Sequence, residues 1–128
     1  MSLTELEQHV YAYYVATDAA QFSAAPRFYP HGELTLIFAD KVQVATRKFG
    51  RQVHSKSKAA AIVLIDKLIE AGAYSTKQNE FGGSMHQFQE PAYKAFLKAE
   101  QDSNPILQQA KAAGPEFWET AFAKLTEQ

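Results

Sequence analysis

The middle of the chain has a helical pattern of apolar residues, followed by a shorter pattern typical of strands. Between Ser57 and Glu70, aliphatic residues recur at three- and four-residue steps after a run of alanines, which predicts a buried helix. Ser57 is a suitable N-cap, and Gly72 supplies the residue that helices often need just beyond their end. Residues 74–88 alternate imperfectly around Gly82–Gly83, which predicts a β-hairpin with a glycine turn.

The N-terminal segment has the pattern of an amphipathic helix over about residues 3–17. Ser2 and Glu5, three places apart, form a capping box at its start. Residues 18–32 contain prolines and a glycine between aromatic residues, so we expect a packed connection without helix or strand. An ordered connection of this length is unusual in a folded domain, which puts the number of elements here in question.

Residues 33–49 fit two patterns. The whole stretch fits a helix, which we favour, with a break near Ala39–Asp40, whereas residues 34–38 alone also fit a short strand. Gly50 ends this segment. Residues 51–56 are then either the turn between two helices or the start of the next helix.

Three further helical patterns follow the hairpin, between about residues 91 and 127. Pro91 and Pro105 begin the first two, since the missing donor of proline costs nothing at the first position of a helix. Gly114–Pro115 separates the second from the third, whose face is strongly apolar. No repeat or linker interrupts the chain. We therefore expect one domain over residues 1–128, α+β and mainly helical, with five or six helices and one hairpin.

The composition narrows the class of protein. The chain has 128 residues, of which 46% are hydrophobic, and it has no cysteine, which excludes disulfides, thiolate catalysis and cysteine metal sites. No apolar run approaches the ~20 residues of a membrane helix, and no signal segment begins the chain. A cytoplasmic protein is expected.

The run LIDKLIEAGAYSTKQNEFGGSMHQF, residues 64–88, resembles the second half of many bacterial winged helix-turn-helix domains. In those domains a helix ends at a pair like Ala71–Gly72 and a wing hairpin follows. The likeness is one of pattern and points to no specific family. It implies a winged-helix core over about residues 33–89, with additional helices over about 3–17 and 91–127.

The distribution of charge gives the main indication of function. The formal net charge is −1, yet six basic residues and no acidic one lie between Lys41 and Ile65. In a winged helix, the turn before the second helix and the start of that helix approach the major groove of DNA, where Lys and Arg bind phosphates. The resemblance therefore implies nucleic-acid contacts in this stretch and on the wing. The candidate residues are Arg47, Lys48, Arg51, Lys56, Ser57, Lys58 and Lys77.

We expect a small cytoplasmic regulator that binds double-stranded DNA. Two features oppose this hypothesis: the net charge is not basic, and the proposed recognition helix is rich in Ala, Ile and Leu. The alternative is a protein-interaction or scaffolding module that keeps the winged-helix frame without binding nucleic acid. A third possibility is a small-molecule pocket lined by Phe22, Phe28, Tyr29 and Trp118, but no convergent polar groups support it.

No residue pattern indicates an enzyme, a cofactor or a metal. The four histidines lack ligand spacing, so His31, Glu33 and His86 form a site only if the fold brings them together, and ordinary hydrogen-bonded histidines are expected. The aromatic residues of the last helix, Phe117, Trp118 and Phe122, belong either to the core or to a homodimer contact. In the second case, Tyr11 and Tyr14 on the first helix would supply the other half of the dimer surface.

Overall fold

The structure, a computed structural model, describes residues 3–126 as six α-helices and a three-stranded antiparallel sheet. The α-helices are α1 (Glu5–Ala16), α2 (His31–Thr46), α3 (Arg51–Glu70), α4 (Glu90–Ser103), α5 (Pro105–Ala113) and α6 (Phe117–Thr126). The strands are β1 (Phe28–Pro30), β2 (Tyr74–Gln78) and β3 (Ser84–Phe88). Two short 3₁₀ turns, Ala19–Ser23 and Arg47–Phe49, precede β1 and α3. The α+β, mainly helical class is confirmed.

The predicted hairpin forms β2 and β3, but it belongs to a larger sheet. The strand order is β1-β3-β2, with Tyr29 opposite His86 on one side and Thr76 opposite His86 on the other. The prediction that residues 18–32 contain neither helix nor strand is wrong, because β1 and a 3₁₀ turn lie within them. A strand of three residues is too short to show alternation, and it exists here because β3 offers its free edge.

Helix α2, which precedes the 3₁₀ turn Arg47–Phe49, is continuous. Residues 38–40 lie inside α2, which runs from His31 to Thr46 without interruption, so the predicted break near Ala39–Asp40 is wrong. Gly50 has φ 110° and ψ 170°, a conformation that essentially only glycine adopts, and α3 begins directly after it. Of the two alternatives for residues 51–56, the start of the next helix is therefore correct, since these residues form the first turns of α3.

Ser57 has a different role from the one predicted. It lies inside α3 with no exposed surface, where its hydroxyl donates to the Val53 carbonyl and contacts the Thr46 hydroxyl at 2.9 Å. The predicted N-cap at Ser57 is wrong because Gly50 allows the helix to start seven residues earlier, at Arg51. At the first helix, Thr4 is the N-cap and accepts from the amide of Glu7 at 3.2 Å. The predicted capping box involves Ser2, which lies outside the described residues.

The core forms where α1, α2 and α3 meet, and the last helix closes it. Side chains such as Val10, Phe38 and Leu64 fill the centre. On α6, Phe122 is fully buried against Phe49 of the turn before α3, with the ring centroids 4.7 Å apart. No helix within residues 3–126 has both the length and the apolarity needed to cross a membrane.

The aromatic residues of α1 and α6 mostly pack against each other within the chain. Tyr13 meets the rings of Trp118 and Phe122 edge-on, at centroid distances of 5.4 and 5.9 Å. Tyr11 and Tyr14 are buried, at 5% and 0% exposure, so neither supplies the dimer surface that the sequence suggested. A homodimer through the aromatic helices would have to use the partly exposed side of α6 alone.

Candidate nucleic-acid interface

Helix α3 has three sides, and its basic residues are divided among them. One side faces α2, where a ring nitrogen of His54 lies 3.1 Å from the Gln43 carbonyl oxygen. A second side faces α1, where the Lys56 ammonium lies 3.6 Å from a carboxylate oxygen of Glu7. The third side points away from the protein and is the one available to a large partner.

The outward side carries one continuous line of side chains. Arg51, Ser55, Lys58 and Ile62 follow one another at steps of three or four residues, and all four are exposed. At 100° per residue, Lys58 lies about 20° from Arg51 around the helix axis, whereas Lys56 lies about 160° from Lys58. Of the three basic candidate residues on this part of α3, the outward line therefore includes Arg51 and Lys58 but not Lys56.

Three of the predicted contact residues carry unpaired charges. Within residues 3–126, no ion pair or cation–π contact engages Arg47, Arg51 or Lys58. Arg47 begins the 3₁₀ turn that leads into α3, so its guanidinium comes from the segment directly before the outward line. An exposed cation without an internal partner loses no contact within the protein when it binds a phosphate.

The other predicted cations already have neighbours. Lys48 lies over the ring of Phe49 at 5.0 Å and shares a cleft with Glu119 of α6. Lys77, on β2, lies over the ring of Phe28 at 4.0 Å. A phosphate would have to compete with these contacts, and with the Glu7 carboxylate in the case of Lys56. Ser57 is excluded from any surface contact because it is fully buried.

The far end of the outward face is acidic. Beyond Ile62, the exposed residues of α3 include Asp66 and Glu70, while Lys67 lies 3.9 Å from Glu100 of α4. The basic character of this face is therefore confined to its first two turns, which are also the end that the turn at Arg47–Phe49 approaches.

The tip of the β2–β3 hairpin is held by two side-chain hydrogen bonds and presents an aromatic ring. The Asn79 side-chain oxygen accepts from the amides of Phe81 and Gly83, at 2.9 and 2.8 Å, which fixes the turn. Phe81 is 87% exposed at this tip. Sequence reasoning placed the glycine turn correctly but assigned Phe81 no role.

A histidine pair joins the sheet to α2. His31 Nδ1 lies 2.9 Å from His86 Nε2, and His86 Nδ1 lies 3.1 Å from the Thr76 hydroxyl. Burial lowers the pKa of His86, and the charge of His31 lowers it further. Glu33 is not part of this contact, since its carboxylate binds Arg27 at 2.7 Å.

The sequence left open whether the fold brings His31 and His86 together, and in the structure they are in contact. This contact depends on β1, the strand missing from the sequence prediction, because β1 leads directly into His31 and runs beside β3. Within the described residues, no group of three or more His, Cys, Asp or Glu side chains is arranged to hold a metal ion. The pair is thus a hydrogen-bonded contact between two titratable rings.

The small-molecule pocket suggested from the sequence does not bring its four aromatic residues together. Trp118 lines a cleft with Ala16 and Leu107, at the α5–α6 end of the fold. Tyr29 is buried in the sheet, and Phe22 is 48% exposed in the turn before it.

No family model, curated protein or solved structure matches this chain.

Proposed function

We propose that this protein binds double-stranded DNA through the start of α3 and the turn before it, as a winged-helix protein with the β2–β3 hairpin as its wing. The order of elements supports the proposal: a helix, a short strand, two helices joined by a tight turn, and a hairpin whose second strand pairs with the short strand. The resemblance in sequence covered only part of this arrangement. A regulatory role would follow from the binding of DNA, as it does in many proteins of this kind.

The observation that carries the proposal is the line of exposed, unpaired cations on the outward side of α3. Arg51 and Lys58 project from the first two turns of the helix, and Arg47 precedes them on the turn. A helix that enters the major groove offers its exposed face to base edges, while cations at its margins bind phosphates. Ser55 and Gln52 are exposed among these cations and are the side chains available for base contacts.

A salt titration tests this proposal. Fluorescence anisotropy with a labelled duplex of generic sequence would give the dissociation constant at several salt concentrations. Each phosphate contact contributes about −0.9 to the slope of log affinity against log salt concentration. We expect the Arg51→Ala/Lys58→Ala variant to bind more weakly than the wild type and to reduce the magnitude of the slope by about 2.

The matched control is Lys98→Ala, which removes an exposed lysine from α4. This variant has the same net charge as the single variants Arg51→Ala and Lys58→Ala, so any effect of the net charge on binding is equal in all three. If Lys98→Ala weakens binding as much as Lys58→Ala does, the attraction is diffuse and the interface is misplaced. If the wild type shows no steep loss of affinity with salt, the protein does not bind DNA in this way.

The second candidate is a protein-interaction module on the same frame. The observation that favours it is Ile62, which is 39% exposed at the end of the outward line, together with Leu36 and Val44 at 60% and 64% on the outer side of α2. Exposed apolar side chains on adjacent helices are typical of surfaces that bind protein. Under this hypothesis, Ile62→Lys would abolish association seen by light scattering after size-exclusion chromatography, whereas Arg51→Ala would not.

A further inference from the structure

We propose that the contact between His31 and His86 is an acid-released latch that holds the β2–β3 hairpin against the first turn of α2. His31 is the first residue of α2, and His86 is the central residue of β3. Their nitrogens are 2.9 Å apart, so one proton lies between them. The latch does not depend on what the outward face of α3 binds.

The state of the latch follows from counting protons on the two rings. His86 is 2% exposed, and its Nδ1 is engaged by the Thr76 hydroxyl. With His86 neutral and its hydrogen on Nδ1, the bare Nε2 accepts a hydrogen bond from the Nδ1–H of His31. Protonation of exposed His31 at its other nitrogen preserves this hydrogen bond, since the Nδ1 proton stays in place.

The second proton is incompatible with the contact. If both rings are charged, His31 Nδ1 and His86 Nε2 both carry hydrogens and face each other as two cations at hydrogen-bond distance. The repulsion is large because His86 is buried, where charges are poorly screened. The latch therefore closes with one or no positive charge on the pair and opens with two.

Within residues 3–126, no carboxylate forms an ion pair with either ring that would offset this repulsion. On β1, Tyr29 is opposite His86, and on β2 the nearest titratable side chain of the same face is Tyr74. On α2, Glu33 is the nearest carboxylate, but it binds Arg27, whose guanidinium also lies over the Tyr29 ring at 3.7 Å. The burial and the His31 charge both lower the pKa of His86, in agreement with the geometry.

The direction of the pH dependence follows. The unfolded chain takes up the His86 proton near the ordinary histidine pKa of about 6.5, whereas the closed latch resists it until a lower pH. Between these two values the open or unfolded state binds more protons, so the latch weakens as the pH falls through this window. It is at full strength above about pH 6.5.

Two measurements on the full chain test the proposal. First, NMR titration of ¹⁵N-labelled histidine rings should show that His86 titrates below the ordinary histidine value and that His31 shifts again during that step. Second, amide exchange in β3, corrected for intrinsic rates and compared with that in the centre of α3, should rise by up to about tenfold for each pH unit below 6.5.

The decisive variant is His31→Gln, because its amide can donate to His86 Nε2 but cannot carry a charge. In this variant we expect the pKa of His86 to rise and the exchange of β3 to lose its pH dependence. The matched control is His9→Gln on α1, where the ring contacts the Glu5 carbonyl and the ring of Phe117; exchange in β3 should depend on pH as in wild type.

Two results would overturn the latch. One is a His86 ring that titrates at or above the ordinary value in the wild type, a measurement that needs no variant to fold. The other is an acid-induced rise of β3 exchange that is equal in wild type and His31→Gln, because the second charge would then have no part in it.

Discussion

Replacing Phe122 by alanine should remove a large part of the stability of this protein. The side chain has no exposed surface and lies between α1, the turn before α3 and its own helix, with ring centroids of Tyr13, Phe49 and Trp118 at 5.9, 4.7 and 6.0 Å. Burying a phenylalanine is typically worth about 3–5 kcal/mol when measured by truncation to alanine. The three neighbours are only partly buried, so they can move toward the cavity, and we expect a loss of about 3 kcal/mol.

Urea unfolding followed by two signals measures this loss. Circular dichroism reports all the helices, whereas fluorescence reports the single tryptophan, Trp118, next to Phe122 on α6. With a slope of about 2 kcal/mol per molar, a loss of 3 kcal/mol moves the midpoint by roughly 1.5 M. The two signals should give the same midpoint, because α6 closes the same core that α1 and α3 form.

The matched control is Phe81→Ala, the same chemical change at an 87% exposed site. Its free energy of unfolding should stay within about 0.5 kcal/mol of the wild type. Equal effects of the two substitutions would refute the packing of α6 described above. A fluorescence transition that precedes the one seen by circular dichroism would show that α6 unfolds separately and that residues 3–126 do not form one cooperative unit.

Two further predictions concern the sheet. Burial raises the pKa of Tyr74 to about 12. Because this pKa is raised, the contribution of Tyr74 to stability is complete below the ordinary value of 10 and is lost as the pH rises toward 12. Absorbance at 295 nm and circular dichroism should therefore change together between these two pH values. Asn79→Ala removes the acceptor for the amides of Phe81 and Gly83, and it should lower the free energy of unfolding by about 1–2 kcal/mol or raise amide exchange at the tip. The control Glu80→Ala, at an exposed neighbouring residue, should change neither. Equal effects of the two substitutions would show that the turn does not depend on the Asn79 side chain.

The elements with strong local signals were predictable. The hairpin at 74–88 follows from Gly82–Gly83 between short apolar segments, and the last three helices follow from Pro91, Pro105 and Gly114 at their boundaries. These residues act through backbone conformation alone, so their effect is visible without knowledge of the rest of the fold. The start of α3 was harder to predict from the sequence, since it depends on one glycine with positive φ.

Features that depend on distant partners were not predictable. Strand β1 exists because β3 lies beside it, and the His31–His86 contact exists because β1 does. Ser57 has the side chain of an N-cap, but Thr46 on α2 provides a partner that allows its hydroxyl to be buried. In each case the deciding contact joins residues of two different elements, and the periodicity of one element carries no information about it.

The same limit applies to the basic stretch and changes the expected strength of DNA binding. Six cations were candidates from the sequence, namely Arg47, Lys48, Arg51, Lys56, Lys58 and Lys77, and six phosphate contacts would give a salt slope of about −5.4. In the structure, three of them meet an internal partner, a carboxylate for Lys56 and an aromatic ring for Lys48 and Lys77. If the protein binds DNA as proposed, the three cations without a partner within residues 3–126 would give a slope of about −2.7. Affinity would then have to come largely from base contacts or from a second protein copy on the same duplex. A slope near −5.4 would instead mean that the DNA displaces the Glu7 carboxylate and both aromatic rings, so the measured slope distinguishes a preformed interface from one that rearranges on binding.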